Sequence, residues 1–538
     1  MGSGKKGRSF IKQAAILAAA GMIVRFIGFL YRVPMTAIIG DSGNAIYSAG
    51  YQVYNFLLIL SSAGLPAAIG KMVSERLALK EYRNAHKVFR VSMMFSVGMG
   101  TLAMILLVVF AKPIAANILK MPDSYYTLLT LAPTILIVGI MSVYRGYFQG
   151  MNNMVPTAFS QIVEQLFNAV SSVALAYLLM KQSVALGAAG GTLGTGIGAL
   201  AGLLMMIFVY VLNMGSIKRR NTRPVVGYEL ESNRRILKIL LSTAVPIIIG
   251  TAIYSITNLV DTFMVMSRLL DSGAFTYSEA QTLYGQLQGK YVVLTTLPVA
   301  ISTSIATAAI PNIASSMALK DKKAVGRKIN MAIKISMIIS IPAAVGMAVL
   351  SDQILMMLFP TEPGGGELLK IGSISIIFLA LSQIVTGTLQ GIGRVKIPAL
   401  NAFFGAIVKI IFNYFLIIIP SINVKGAVIS TIACYVVASG LNFFALVKIT
   451  KLKINLVDIM IKPLAASLLM GAICFGVYEG CFILIDNNTV STLVSVIAAM
   501  AAYFVIMIFI KGILKDDIYT LPAGGKIVSI CEKFHLIK

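Results

Sequence analysis

Long apolar runs separated by short polar segments make up most of this 538-residue chain. About 20 consecutive apolar residues cross the hydrocarbon core of a bilayer as an α-helix. Windows of that length, ended by Gly, Pro, Asn or clustered charges, predict fourteen helices. Their approximate ranges are 12–39, 45–70, 89–111, 125–148, 156–180, 186–212, 237–268, 285–315, 330–351, 367–390, 398–420, 424–447, 462–485 and 488–511. The pattern predicts an all-α integral membrane protein with 14 transmembrane helices.

The first apolar run is not expected to be a cleavable signal peptide. It is about 25 residues long, whereas the apolar region of a signal peptide has about 7 to 15 residues. No small-residue cleavage site leads from it into a polar mature domain. We therefore expect it to be the first transmembrane helix.

Basic residues concentrate in alternate loops. The chain holds 45 Lys and Arg against 20 Asp and Glu, a formal net charge of +25. If the N-terminus is cytoplasmic, the predicted inside segments contain 35 basic residues and the outside segments contain five. This asymmetry follows the positive-inside rule and predicts that both termini are cytoplasmic. The surplus charge then indicates contact with anionic membrane lipids, and no nucleic-acid partner is expected.

The sequence repeats itself at a shift of about 240 residues. The segment "ALKE" (78–81) recurs as "ALKD" (318–321), and "IVEQLFN" (162–168) recurs as "IVKIIFN" (407–413). A six-helix repeat has an even number of spans, so both copies share one orientation and would face a central cavity, as in many transporters. The predicted domains are an N-lobe at 1–214, a cytoplasmic linker at 215–236, a C-lobe at 237–448, helices 13 and 14 at 449–512, and a cytoplasmic tail at 513–538.

Two arginines interrupt the first apolar run. Arg25 and Arg32 lie in "AGMIVRFIGFLYRVP" (20–34), seven residues apart, and so project from nearly the same helix face. A charged side chain at mid-helix costs about 2.5 to 3.5 kcal/mol on insertion scales, so neither should face lipid. Snorkelling to a helix end is an alternative for Arg32, and pairing with a buried carboxylate is an alternative for Arg25.

Further polar side chains inside the predicted spans complete a candidate site. Four cations and two anions leave a surplus of positive charge, which favours an anionic cargo, and paired arginines can bind phosphate oxygens in a bidentate manner. Purely structural charges should instead pair to near neutrality. The charged candidates are Arg25, Arg32, Glu164, Asp261, Lys290 and Lys409, and the supporting polar candidates are Gln161, Gln165, Asn168 and Asn258.

Catalytic and metal chemistry are not expected. The four cysteines, at 434, 474, 481 and 531, form no CxxC pair, and the only histidines are His86 and His535. Acidic residues on the predicted outer side are scattered over separate loops. These patterns predict no catalytic residue, no metal site and no cofactor, and therefore a protein that is not an enzyme.

Several segments together resemble one family. They are "RFIGFLYRVPMTAIIG" (25–40), "IYSAGY" (46–51), "AGLPAAIGKMVSE" (63–75), "YRGYFQGMNNMVPTA" (144–158), "QIVEQ" (161–165), "LVDTFMV" (259–265) and "LQGIGRVKIP" (389–398). The chain resembles the multidrug/oligosaccharidyl-lipid/polysaccharide exporter superfamily, and within it the polysaccharide-biosynthesis branch, which includes stage V sporulation protein B and the lipid II flippases.

The resemblance implies an activity. A monomer with two six-helix lobes would move a polyprenyl-pyrophosphate-linked glycan from the inner to the outer leaflet of the bacterial cytoplasmic membrane by alternating access. Lipid II, the peptidoglycan precursor, is the first candidate, which would place the protein in cell-wall synthesis and cell shape. Helices 13 and 14 would form a groove for the lipid tail. Membrane potential or a monovalent cation bound at Asp261 could drive transport, and no ion site is claimed.

Two departures leave alternatives open. Better-known lipid II flippases carry a further arginine in helix 2 and an aspartate after the second arginine of helix 1. Here helix 2 has no basic residue and Val33 follows Arg32, so Lys290 or Lys409 is expected to help hold pyrophosphate. A flippase for another polyprenyl-linked glycan and a multidrug or cation antiporter are the competing interpretations.

Overall fold

The computed structural model describes residues 3–221, 229–318, 321–452 and 455–512. The predicted cytoplasmic tail and residues 222–228 of the predicted linker lie outside these ranges. All regular secondary structure in the described ranges is helical, which confirms the predicted all-α membrane class.

Seventeen α-helices form the described chain. The first eight are α1 (Ser3–Ser62), α2 (Leu65–Ala78), α3 (Tyr82–Pro113), α4 (Ser124–Gly150), α5 (Val155–Met180), α6 (Val184–Asn221), α7 (Asn233–Asp271) and α8 (Tyr277–Gly285). The remaining nine are α9 (Val292–Ala318), α10 (Lys322–Val349), α11 (Ser351–Leu358), α12 (Gly366–Gly372), α13 (Ser375–Gly391), α14 (Lys396–Leu416), α15 (Lys425–Thr450), α16 (Lys462–Ile485) and α17 (Asn488–Phe509). Short π-helical segments occupy Ile114–Ile118, Gln286–Tyr291 and Val457–Ile461.

Twelve helical segments in the described residues are long and apolar enough to cross a membrane, or thirteen if the bent pair α12 and α13 forms one span. The predicted count of fourteen is therefore not confirmed. The first segment, Ala19–Ala78, has 60 residues. At about 1.5 Å per residue, an unbroken helix of that length would be about three times as long as the hydrocarbon core is thick.

α1 is in fact interrupted at Gly40. The backbone there has φ 67° and ψ −177°, a left-handed conformation that glycine adopts without the steric cost of a side chain. The Asn44 side chain lies across this break: its Nδ2 donates to the Gly40 carbonyl oxygen at 2.8 Å, and its Oδ1 accepts from Thr36 Oγ1 at 3.2 Å. These bonds satisfy a carbonyl that the interruption would otherwise leave unpaired. The predicted end of the first helix at residue 39 coincides with this break.

Two compact units make up the chain. The first comprises Met1–Gly289 and Asn413–Val424, and within it α1 packs against α4, α5, α6, α7 and α8. Its apolar core includes Leu65, Ile69 and Met72 of α2, which pack with residues of α3, α4 and α7. This arrangement surrounds the arginine-bearing helix with neighbouring helices.

The second unit comprises Lys290–Phe412 and Lys425–Lys538. One of its core clusters is built mainly from α9, α10 and α13, and includes Ile329, Ile333 and Ile384. α16 and α17 pack against each other and, through a second cluster, against the end of α10. The predicted lobes at 1–214 and 237–448 stay a prediction.

Candidate functional site

The two arginines of α1 have different surroundings. Arg25 is exposed, whereas Arg32 is half-buried. The guanidinium carbon of Arg32 lies 5.6 Å from the ring centroid of Tyr47 and 5.7 Å from that of Tyr51. These two rings stack with centroids 5.7 Å apart and an interplanar angle of 10°. The interruption at Gly40 brings the tyrosine-bearing half of α1 alongside the arginine-bearing half.

Arg32 makes no salt bridge to any carboxylate of the described residues. An aromatic ring attracts the flat face of a guanidinium group, and this interaction contributes about 0.5 to 2 kcal/mol. The five N–H donors of the group lie in its plane and are not used by the rings. The cation–π contacts therefore orient Arg32 without using its N–H donors.

A second contact joins this region of α1 to α5. Gly28 lies between the two arginines, and a Cβ atom at this position would be 3.3 Å from Nε2 of Gln165. The Gln165 side chain therefore reaches the α1 backbone at the level between Arg25 and Arg32. A larger residue at position 28 would displace it.

α5 presents a polar face on the side opposite its exposed apolar residues. At about 100° per residue, the predicted polar candidates fall within roughly 100° of arc. Exposed Phe159, Leu166 and Val170 lie on the other side of the helix. The members of the polar face are Gln161, Glu164, Gln165 and Asn168. This face is directed away from the apolar surface that would meet lipid.

Glu164 forms an ion pair with Arg145 of α4. Nη2 of Arg145 donates to Oε2 of Glu164 at 2.7 Å, and Nε of Arg145 donates to Ser160 Oγ at 3.0 Å. The side chains of Arg145 and Glu164 are 12% and 27% exposed. Arg145 is not among the predicted site residues, although it lies inside the predicted span 125–148. Its position within that span was the signal that could have identified it.

Asn168 and Gln161 have different environments. Asn168 is buried, and its Oδ1 accepts from Ser172 Oγ at 2.8 Å and from Thr195 Oγ1 of α6 at 3.4 Å. Its side chain thus holds α5 against α6. Gln161 has a buried Oε1 with no hydrogen-bond partner in the described part of the chain. A carbonyl oxygen of this kind can still accept a hydrogen bond from a ligand or water.

Asp261 of α7 is buried and accepts a hydrogen bond from Asn413. The Asn413 Nδ2 to Asp261 Oδ1 distance is 3.0 Å, and both residues belong to the first unit. Asn258, one turn earlier on α7, is exposed, and its backbone carbonyl accepts from Thr262 Oγ1 at 3.1 Å. In the described ranges, no three His, Cys, Asp or Glu side chains are grouped so that they could hold a metal ion.

Lys290 and Lys409 belong to the second unit, and both are buried. The Lys290 ammonium donates to the backbone carbonyl oxygens of Glu362 and Gly364, and it lies 5.5 Å from the ring centroid of Phe359. These contacts hold the segment between α11 and α12. Lys409 is 3% exposed on α14.

Within the first unit, Arg32, Glu164 and Gln165 lie on neighbouring faces of α1 and α5.

Two family models match the chain. The model described as polysaccharide biosynthesis protein matches residues 10–317, and the MatE model matches residues 292–415. The first match covers more than half of the chain.

Similar proteins include two from Bacillus subtilis (strain 168). Stage V sporulation protein B is 26% identical over 530 residues, covering 97% of this chain and 99% of that protein. The lipid II flippase MurJ is 27% identical over 452 residues, covering 80% of this chain and 81% of that protein. A solved structure of the lipid II flippase MurJ in an inward closed conformation superposes with a TM-score of 0.64 at 15% identity. That superposition covers 92% of this chain and 99% of the other.

Proposed function

Because the chain belongs to the polysaccharide biosynthesis protein family of the multidrug/oligosaccharidyl-lipid/polysaccharide exporter superfamily, whose members include membrane flippases and transporters, we propose that it flips a polyprenyl-pyrophosphate-linked glycan. The cargo would pass from the inner to the outer leaflet of the bacterial cytoplasmic membrane, with both termini of the protein in the cytoplasm. Lipid II is the first candidate, since one relative at 27% identity is a lipid II flippase. The protein would act as a monomer in peptidoglycan synthesis.

The observation that carries this proposal is the environment of Arg32. A guanidinium group within a membrane span is costly. In the described structure Arg32 is held by two tyrosine rings and makes no salt bridge to a carboxylate. Arg25 lies two turns away on nearly the same face of the same helix. Two guanidinium groups so placed suit the oxygen-rich, doubly charged pyrophosphate.

The arginines and the neighbouring polar side chains would bind different parts of the cargo. Arg25 and Arg32 would bind pyrophosphate, and Gln165 beside Gly28 would meet the first sugar or peptide groups. The polyprenyl chain would stay in lipid throughout. An inside-negative potential of about 100 mV favours outward movement of two negative charges by about 5 kcal/mol, so transport needs no ATP.

A drug or cation antiporter is the second candidate, because the MatE model matches residues 292–415. That function needs acidic and aromatic groups to receive a cation. Arg32 occupies the aromatic pair here, which disfavours a cationic ligand at the same place. A flippase for a different polyprenyl-linked glycan remains the closest alternative to lipid II.

The test is lipid II translocation in proteoliposomes. The native protein would be compared with an Arg25→Ala/Arg32→Ala double variant and with Arg394→Ala, which removes one exposed arginine from a turn. We expect the double variant to lose transport and Arg394→Ala to retain it. A tenfold excess of another polyprenyl-pyrophosphate glycan should not compete. Folded native protein that moves no lipid II would overturn the lipid II assignment, and unchanged transport by the double variant would overturn the site.

A further inference from the structure

The ion pair between Arg145 and Glu164 lies on the same polar face of α5 as Gln165. Arg145 uses Nε on Ser160 and Nη2 on Glu164, whereas Nη1 makes no hydrogen bond to the described residues. Glu164 accepts through Oε2 alone in the same part of the chain. Both ends of the pair therefore retain unused hydrogen-bonding capacity.

The surroundings of the pair connect it with the arginines of α1. Gln165, the residue after Glu164 on α5, contacts α1 between Arg25 and Arg32. Gln161, one turn before Gln165, has a buried Oε1 with no partner in the described residues. The pair thus continues the polar region that holds Arg32.

From this geometry we propose that Arg145 is a third cargo-binding arginine. In the empty protein Glu164 compensates its charge, and when cargo arrives Arg145 exchanges the Glu164 carboxylate for the pyrophosphate group. The proposal rests on the proposed function. Glu164 then acts as an internal anion that competes with the cargo. A carboxylate and a phosphate compete directly, because both use the same fork of guanidinium donors.

A structural ion pair and a competing anion predict opposite effects for one substitution. If the pair only holds α4 against α5, then removing either partner destabilises the protein and cannot improve ligand binding. If Glu164 competes with cargo, Glu164→Gln should tighten binding, because Arg145 no longer has to exchange one charged partner for another. The gain should depend on Arg145 being present.

The experiment measures binding of a short-chain prenyl pyrophosphate to purified protein in detergent by calorimetry. We expect Glu164→Gln to bind about tenfold more tightly and Arg145→Gln about tenfold more weakly than native protein. In the double variant, Glu164→Gln should give no gain over Arg145→Gln alone. The matched control is Glu231→Gln, which frees the buried Arg76 elsewhere in the first unit and should leave affinity unchanged.

Each outcome decides one question. Tightening in Glu164→Gln that disappears in the Arg145→Gln background supports the proposal. Equal or weaker binding by a folded Glu164→Gln variant overturns it while leaving the proposed function intact. The same gain in Glu231→Gln would show a non-specific charge effect and would also overturn it. Native protein that binds no prenyl pyrophosphate would overturn both this proposal and the proposed cargo class.

Discussion

The stacked tyrosines beneath Arg32 allow a quantitative test of the proposed anion site. Tyr51→Leu removes one of the two rings that lie 5.6 and 5.7 Å from the guanidinium carbon. A cation–π contact contributes about 0.5 to 2 kcal/mol, with the higher value for a desolvated pair. Since 1.4 kcal/mol corresponds to a factor of ten, losing one ring should weaken binding of a short-chain prenyl pyrophosphate by about 2- to 30-fold.

Two further variants separate the ring from other properties of Tyr51. Tyr51→Phe keeps the aromatic face and should stay within about twofold of native affinity. Tyr54→Leu removes a neighbouring ring whose centroid is 5.7 Å from that of Tyr51 but which makes no cation–π contact with Arg32 in the described structure. Calorimetric titration of all three, each checked for folding by thermal unfolding, gives the comparison.

The result that would refute this reasoning is equal loss in Tyr51→Phe and Tyr51→Leu. Such a result would assign the effect to the hydroxyl group and not to the ring. Native affinity in Tyr51→Leu would show that the rings do not orient Arg32 for binding. Equal weakening in Tyr54→Leu would indicate general loss of packing around the second half of α1.

Three other substitutions test the framework of the site. Gly40→Ala should lower the free energy of unfolding by about 1 to 3 kcal/mol, because φ 67° with ψ −177° is a backbone conformation essentially restricted to glycine; thermal unfolding in detergent would show it. Arg76→Gln should lower the free energy of unfolding by about 3 kcal/mol, because it leaves the largely buried Glu231 carboxylate without its arginine. Glu231→Gln should show a similar loss in the same assay. The Lys290 ammonium donates to backbone carbonyl oxygens near Glu362, so Lys290→Met should increase protease cleavage there. The affinity for prenyl pyrophosphate should stay within twofold of native. A loss of affinity without extra cleavage would contradict this prediction.

Much of the fold could be predicted because hydrophobic length is a local property of the sequence. The all-α membrane class and the end of the first helix near residue 39 follow from apolar runs and from a glycine in "IIGDSGN" (38–44). The family resemblance read from short motifs is likewise confirmed by the match over residues 10–317. The placement of Arg25 and Arg32 on one helix face needed only helical periodicity.

The partners of the charged residues could not be predicted in the same way. Arg145 meets Glu164 across the α4–α5 helix pair, and the residues are 19 positions apart with no repeating spacing to link them. Lys290 donates to backbone carbonyls more than 70 residues away, and carbonyl oxygens leave no mark in a sequence. Counting charged residues in the predicted spans therefore overestimates how many charged side chains are available to bind cargo.

The ion pair also changes the charge balance of the proposed site. The four named residues Arg25, Arg32, Arg145 and Glu164 carry a formal net charge of +2, equal in size and opposite in sign to the two negative charges of the pyrophosphate group. Because uncompensated charge inside a membrane protein is costly, such a balance favours loading. Removing the Glu164 charge raises the empty site to +3 and leaves +1 after loading. Glu164→Gln should therefore bind cargo more tightly yet release it more slowly, so that steady-state flipping falls while affinity rises.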